Sequence, residues 1–309
     1  MRLLGIILCG LFFTGCGSEV SKTVVSDENA AEQKYHWKLV TTWPKNYPGL
    51  GTAPETFARL VERMSAGRLN IKVFGAGQLV PAMEVFDAVS QGTAQMGHGA
   101  AYYWAGKARG AAFFAAVPFG LNAQEMNSWL HHGGGLELWR ELYAPFNLIP
   151  FAGGNTGVQM AGWFNREINT MDDLAGLKMR IPGLGGDVIT RAGGTSWNIT
   201  GSDIYTAMQT GVIDATEWVG PYNDLAFGLH QVAKYYYYPG WHEPGVMAEL
   251  TVNAQAYVSL PPDLQAIIEV AARAVNQDML DEYTAKNNRA LVELVETHGV
   301  ELRRLPDPV

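Results

Sequence analysis

Arg180 stands in the stretch "GLKMRIPG", residues 176–183, between Met179 and Ile181 and just ahead of Pro182 and Gly183. A guanidinium fork is well shaped to hold a carboxylate through two parallel hydrogen bonds. Strand alternation offers a plainer account, in which Lys178 and Arg180 point to water and Met179 and Ile181 to a core. Other polar groups fall near the ends of strand-like segments. They are Gln159 in "GVQMAGWF", Glu217 with Trp218 in "VIDATEW", and Trp241, His242 and Glu243 in "GWHEPG". Taken singly, Glu217 reads as a solvated carboxylate, His242 as a loop histidine, and the tryptophans as core aromatics. Taken together they supply one guanidinium, two carboxylates, an amide and aromatic walls, an inventory suited to a small anion and a hard cation.

Catalytic motifs are sparse. "HHGGG" at 131–135 is similar to the oxyanion strip of esterases, but no G-x-S-x-G elbow accompanies it. "GTSWN", around Ser196, has Asn198 where the last glycine would stand, so "HHGGG" reads as a helix running into a glycine turn. "WHEPG" lacks a second histidine four residues on, which excludes a zincin helix. "GAGQLV" and "GLGGDV" lack the third glycine of a dinucleotide fingerprint.

The elements that must position these groups alternate. "HWKLVTTW", "RLNIKVFG" and "TAQMGHG" read as strands, separated by the helices "PETFARLVERMSAG" and "AMEVFDAVSQG". That order predicts a parallel sheet covered by helices. "FNLIPFAGG", "GVQMAGWF", "LKMRIPG", "TSWNIT", "VIDATEW", "VAKYYYYPG" and "VMAELTVNAQ" continue as strands. Helices are expected from about Gly186 to Ala192 and over "SDIYTAMQTG", the second capped by Ser202 and stopped by Gly211. Pro261 and Pro262 open a long helix to about His298, with a stripe of Leu264, Ile267, Ile268, Ala271 and Val275 that Leu291, Leu294 and Val295 extend.

The N-terminus reads as a signal rather than as part of the fold. Arg2, an apolar run from Leu3 to Phe13 and small residues up to Cys16 make a secretory segment too short to span a membrane. "FTGC" resembles the bacterial lipobox, which implies lipidation at Cys16, with Phe13 where leucine is usual; a plain secreted protein is the other reading. Both cysteines, Cys9 and Cys16, lie in this segment, so the body has no disulfide or cysteine chemistry. At 309 residues and 48% hydrophobic composition the chain can build a large core in two lobes. Net charge is −8, or −9 once Arg2 leaves with the signal, and no Lys/Arg cluster stands out, which argues against nucleic-acid binding.

Four separated stretches, "SAGRLNIKVFGAGQL", "VFDAVSQGTAQMG", "DDLAGLKMRIPG" and "SDIYTAMQTGVIDATEW", resemble the signature segments of TRAP-transporter solute-binding proteins of the DctP type. The resemblance runs from about His36 to Arg304. It implies an α/β, two-lobed periplasmic binding protein, type II-like, with hinge strands and a long C-terminal helix. The expected division is a signal over 1–16, a tether over 17–34, and a first lobe over 35–156 to which 247–260 returns. A second lobe would cover 157–246, and the long helix and final strand 261–309. The resemblance makes Arg180 the family's carboxylate clamp.

"QMAGWFN", "ATEWVGPYND" and "GWHEPG" look most like the branch that binds 2-oxo acids such as pyruvate, or 2-hydroxy acids such as lactate, together with a metal cation. That likeness implies Gln159, Glu217, the backbone of Trp218 and Glu243 as cation donors. Tyr102, Asn155, Trp218 and Trp241 join Gln159 and Arg180 as ligand contacts. Two glutamates and a monocarboxylate against one arginine leave −2, a costly balance in a closed cleft unless a cation enters. Oxygen donors favour Na⁺ or Ca²⁺, undecided between them, over zinc or copper. The implied function is non-enzymatic: a receptor, lipid-anchored in the periplasm, that hands its ligand to the membrane permease. Dicarboxylates or sugar acids are alternative ligands, an exported small-ester hydrolase using Ser196 is the alternative in class, and a signalling receptor would share the pocket. The family's further helical tail, which mediates dimers in this branch, is not matched after "GVELRRL", so a truncated chain and a homodimer both stand as readings.

Overall fold

The period-2 segments become a five-stranded sheet. The computed structural model describes residues 33–309, so the signal reading, Cys16 and nearly all of the expected tether fall outside the described residues. Strands β1 (Tyr35–Thr41), β2 (Leu69–Phe74) and β3 (Met96–Ala100) run parallel in the order β2-β1-β3. Helices α1 (Thr52–Met64) and α2 (Val85–Ser90) form the crossovers. Phe57 and Val61 of α1 are buried, whereas Met64, at the last turn, is exposed. Helices α3 (Ala123–His132) and α4 (Gly135–Tyr143) follow, with the Gly133–Gly134 turn between them where a glycine turn was expected. Asn122 caps α3 in a reciprocal box with Glu125, satisfying two backbone donors that a helix start would otherwise leave open.

Strand β4 (Leu148–Asn155) is the outer strand of this sheet, and the chain then leaves it. Strands β5 (Gly162–Phe164), β6 (Lys178–Arg180), β7 (Thr195–Trp197), β8 (Ala215–Thr216) and β9 (Tyr235–Tyr238) build a second sheet. Helices α5 (Gly183–Arg191), α6 (Gly201–Gln209) and α7 (Pro221–Phe227) connect them. Strand β10 (Met247–Asn253) returns to the first sheet and pairs antiparallel with both β3 and β4. After α8 (Ala254–Val258) and the 35-residue α9 (Pro262–Glu296), β11 (Glu301–Arg304) adds to the second sheet beside β9. The sheet orders are β2-β1-β3-β10-β4 and β11-β9-β5-β8-β6-β7.

Local details depart from expectation. The cap position of α6 is Thr200, not Ser202, which lies inside the helix; the Thr200 hydroxyl instead binds the Asp203 carboxylate and the Ser202 hydroxyl. Of the strand expected over 157–164 only Gly162–Phe164 pairs, because Gln159 and Met160 are bonded by their backbone N–H groups to Glu243 and Val219 rather than to a ladder. The α9 stripe holds at Leu264, Ile268, Ala271, Val275 and Leu294, but Val295 faces out.

The larger hydrophobic core surrounds the first sheet and continues through Trp163, Trp218 and Tyr236 of the second, with α9 packed along it. A smaller one, including Phe164, Leu177, Met179, Ile181 and Ile189, lies against the second sheet. Helix α7 links second-sheet residues to the rest of the larger core. Its Asn223 side chain bonds Pro48 and Tyr283, and its Asp224 carboxylate accepts from Trp163 Nε1 at 2.9 Å and Tyr236 Oη at 2.7 Å. Burial pushes Asp224 up to about 7 despite those donors.

Candidate functional site

Strand β6 lies between β8 and β7, so its far end is covered on both sides by chain. Arg180, the last residue of that strand, is only 1% exposed, which overturns the alternation reading that put it in water. Lys178, two residues earlier, is the one left partly in solvent. Inside, Arg180 pairs with Glu217, donates from Nε to the Ile199 carbonyl at 3.2 Å and from NH1 to the Glu217 carbonyl at 3.3 Å. Its NH2 donates to Tyr103 Oη at 3.3 Å, and its guanidinium lies 5.2 Å from the centre of the Trp218 ring. Burial favours the neutral guanidinium, but the Glu217 carboxylate beside it holds the charged form.

Glu217 follows β8 and is fully buried. One oxygen faces Arg180; the other, Oε2, has no hydrogen-bond partner and lies 3.6 Å from His242 Nε2. The loop after β9 supplies His242 and Glu243, 1% and 2% exposed. Gly240 lets that loop approach Gln159, since a Cβ there would sit 2.0 Å from the Gln159 carbonyl oxygen. Ligand atoms of Glu217, His242 and Glu243 fall within 4.8 Å of one another. Burial first, and then the Glu217 charge, push the Glu243 carboxyl well above the usual range, while Arg180 pulls it down.

Unpartnered buried atoms mark what this cluster lacks. Gln159 Oε1, Glu217 Oε2, Glu243 Oε2 and both His242 ring nitrogens have no donor or acceptor. Buried polar atoms left bare are costly, so a site with three such oxygens fits a hard cation well. Beside the charged cluster is a cavity whose lining includes the polar Tyr102, Tyr103, Thr156 and Gln159 and the apolar Trp43, Trp218, Val219 and Val246. It is narrow, with room for about one water-sized group.

The structure therefore brings together Arg180, Gln159, Glu217, Glu243, Tyr102 and the Trp218 side chain. Asn155 closes β4, fully buried, one residue before Thr156 of the cavity wall; its Oδ1 accepts from Gly157 N and its Nδ2 is bare. Trp241 lies elsewhere. It lines a separate apolar cavity with Phe119 and Ile189, and its ring is 5.3 Å from that of His242. Tyr103, Thr156 and Trp43 carry no signal in the sequence, and His242 lies in a loop, as its sequence context suggests, but is buried. Ser196 is on the exposed edge strand β7 with Thr190 as its hydroxyl partner at 3.3 Å, and neither histidine nor carboxylate is bonded to it among the described residues.

Residues 39–309 match the family described as DctP, bacterial extracellular solute-binding protein, family 7. The monocarboxylate 2-oxoacid-binding periplasmic protein of Nostoc sp. (strain PCC 7120) is 47% identical over 277 residues, covering 89% of this chain and 75% of that one. A TRAP periplasmic solute-binding protein of Pseudoalteromonas atlantica T6c, solved with bound sodium and pyruvate, is 46% identical. The alignment covers 89% of this chain and 84% of that chain with a TM-score of 0.87. The corresponding protein of Colwellia psychrerythraea, with bound calcium and pyruvate, is 45% identical, covers 90% and 84%, and also gives 0.87. By the match over its whole described body and by this likeness, the chain belongs to the DctP family of bacterial extracellular solute-binding proteins.

Proposed function

We propose that the protein is an extracytoplasmic receptor that captures a small 2-oxo or 2-hydroxy monocarboxylate together with a hard cation and delivers it to a TRAP permease. The observation that carries this reading is the buried Arg180 guanidinium set against bare oxygens of Gln159, Glu217 and Glu243. Arg180 grips the ligand carboxylate. Gln159, Glu217, Glu243 and the backbone carbonyl of Trp218 hold the cation. A bound cation supplies the positive charge that lets two glutamates and an anionic ligand share one dry site. Tyr102, Asn155 and the Trp218 ring form the ligand's walls, and Trp241 supports the loop that carries His242 and Glu243. Relatives solved with pyruvate beside sodium or calcium support this reading.

The first lobe, 35–156 with 247–260, and the second, 157–246, close on the ligand by hinge motion. Tyr103 on the first side and Arg180 on the second meet across the site. Because ligand and cation bind in one cleft, each raises the other's affinity by the same factor. The protein turns over no substrate, and Cys16 anchors it to the membrane by lipid. No helix among the described residues is long and apolar enough to cross a membrane.

The test is calorimetric titration with pyruvate and with lactate, in Na⁺, in Ca²⁺ and after chelation in metal-free buffer. Cation-dependent binding of either acid is the expected result. Absence of binding under every condition would discard the 2-oxo acid reading and turn attention to dicarboxylates and sugar acids.

A further inference from the structure

We infer that Trp43, held in place by His98, sets the upper limit on the ligand's alkyl chain, so that the receptor prefers short 2-oxo acids over long or branched ones. The inference rests on the receptor reading above. Trp43 follows β1 and is 3% exposed. Thr41 fixes its backbone from both sides, its hydroxyl accepting from Trp43 N at 3.2 Å and donating to the Trp43 carbonyl at 2.9 Å. The indole Nε1 donates to His98 Nδ1 at 2.8 Å. Nδ1 is therefore the acceptor of that ring, and Nε2 carries the proton toward the Gly153 carbonyl at 3.0 Å. Burial lowers His98 to about 4, so the ring stays neutral and the tether stays in place at ordinary pH.

What the indole faces gives it a role. Its ring meets Trp218 at 6.1 Å and Tyr103 at 6.0 Å between centroids, and both of those rings touch Arg180. Trp43 thus lines the small cavity together with Tyr103 and Trp218, the two residues through which that cavity adjoins Arg180. An acid gripped at Arg180 would send its alkyl group past Tyr103 and Trp218 into that cavity, where the room suits about one methyl-sized group. Flexible walls would yield to a longer chain. Trp43 cannot swing away without breaking its bond to a buried histidine, which would leave His98 Nδ1 without a partner.

The experiment is titration of the protein, in the cation that supports binding, with pyruvate, 2-oxobutanoate, 2-oxopentanoate and 4-methyl-2-oxopentanoate. One methylene in a tight apolar pocket changes affinity by roughly 10- to 200-fold. The wild type should therefore bind the branched acid at least about tenfold more weakly than pyruvate. Trp43→Phe should narrow that ratio about tenfold, and His98→Gln should narrow it partly by freeing the indole. Reading a ratio cancels any general loss of affinity. Equal wild-type affinity for short and branched acids would overturn the inference even if the variants fail to fold, as would a Trp43→Phe ratio equal to that of the wild type. Both results leave the receptor reading standing, whereas no binding of any 2-oxo acid by the wild type would overturn both.

Discussion

Glu217→Gln separates the two jobs assigned to one carboxylate. In the structure Glu217 pairs with Arg180 through one oxygen and leaves the other bare near His242 and Glu243. Glutamine keeps the volume and removes the charge. With burial holding Glu243 toward its neutral form, a gripped monocarboxylate and Arg180 would then sum to zero without any cation. Two unit charges about 4 Å apart interact by about 4 kcal/mol at an effective dielectric of ~20. Removing that attraction should cut the cation's enhancement of ligand affinity by up to about a thousandfold, since each 1.4 kcal/mol is about a factor of ten. The assay is the ratio of dissociation constants for pyruvate in chelated and cation-containing buffer, measured by calorimetry for both proteins. A variant whose ratio matches the wild type would refute Glu217 as a cation donor and with it the charge argument. The ligand-free variant should also melt lower, because breaking a buried pair by removing one partner costs about 3–5 kcal/mol.

Four other outcomes are expected. Arg180→Lys keeps the charge but loses the fork, and calorimetry should show about tenfold or weaker binding of the acid; an unchanged constant would remove the clamp. Gly240→Ala places a Cβ against the Gln159 carbonyl, so thermal melts should show a marked loss of stability, and wild-type melting would mean that the loop has room to move. Glu249, in the first-sheet core, is pushed up to about 7 by burial despite donors from Trp104 and Tyr143. Its unfolded value is about 4.3, so between the two the native state holds a proton that the unfolded chain has lost, and stability falls as pH rises through that window. Denaturant titrations at about pH 5 and about pH 7 should show a smaller fall for Glu249→Gln. Cys16→Ser should move the protein from the membrane fraction to the soluble one; a variant still in the membrane fraction would defeat the lipid anchor.

The first sheet was readable because its parallel strands are five to seven residues long and separated by helices with strong apolar stripes. The second was harder, since β8 pairs over two residues and β5 and β6 over three, too few for a period to declare itself. Arg180 shows the limit clearly. Local alternation sent it outward, and only the family pattern around "GLKMR" pointed away from that reading; the structure buries the side chain. Tyr103 and Trp43 were missed for another reason. They come from connections at the ends of first-sheet strands and meet Arg180 and Trp218 across large sequence gaps, which no spacing rule encodes. His242 had a usable signal in its adjacency to Glu243, but a single loop histidine is ordinary on composition alone.

The order in which strands enter the two sheets bears on how the protein can be made. The first sheet lacks the strand between β3 and β4 until Asn253 is available, and the second lacks its outer member until Arg304. A chain emerging N-terminus first therefore cannot finish one sheet and then begin the next. Residues up to 246 would hold β3 and β4 with a gap between them, exposing the edges that β10 covers on both sides. Completion waits on contacts far apart in sequence, which slows folding and favours an exported chain that stays unfolded until it has crossed the membrane. The same threading ties the two sheets together, because the chain crosses between them three times, after β4, after β9 and after β10.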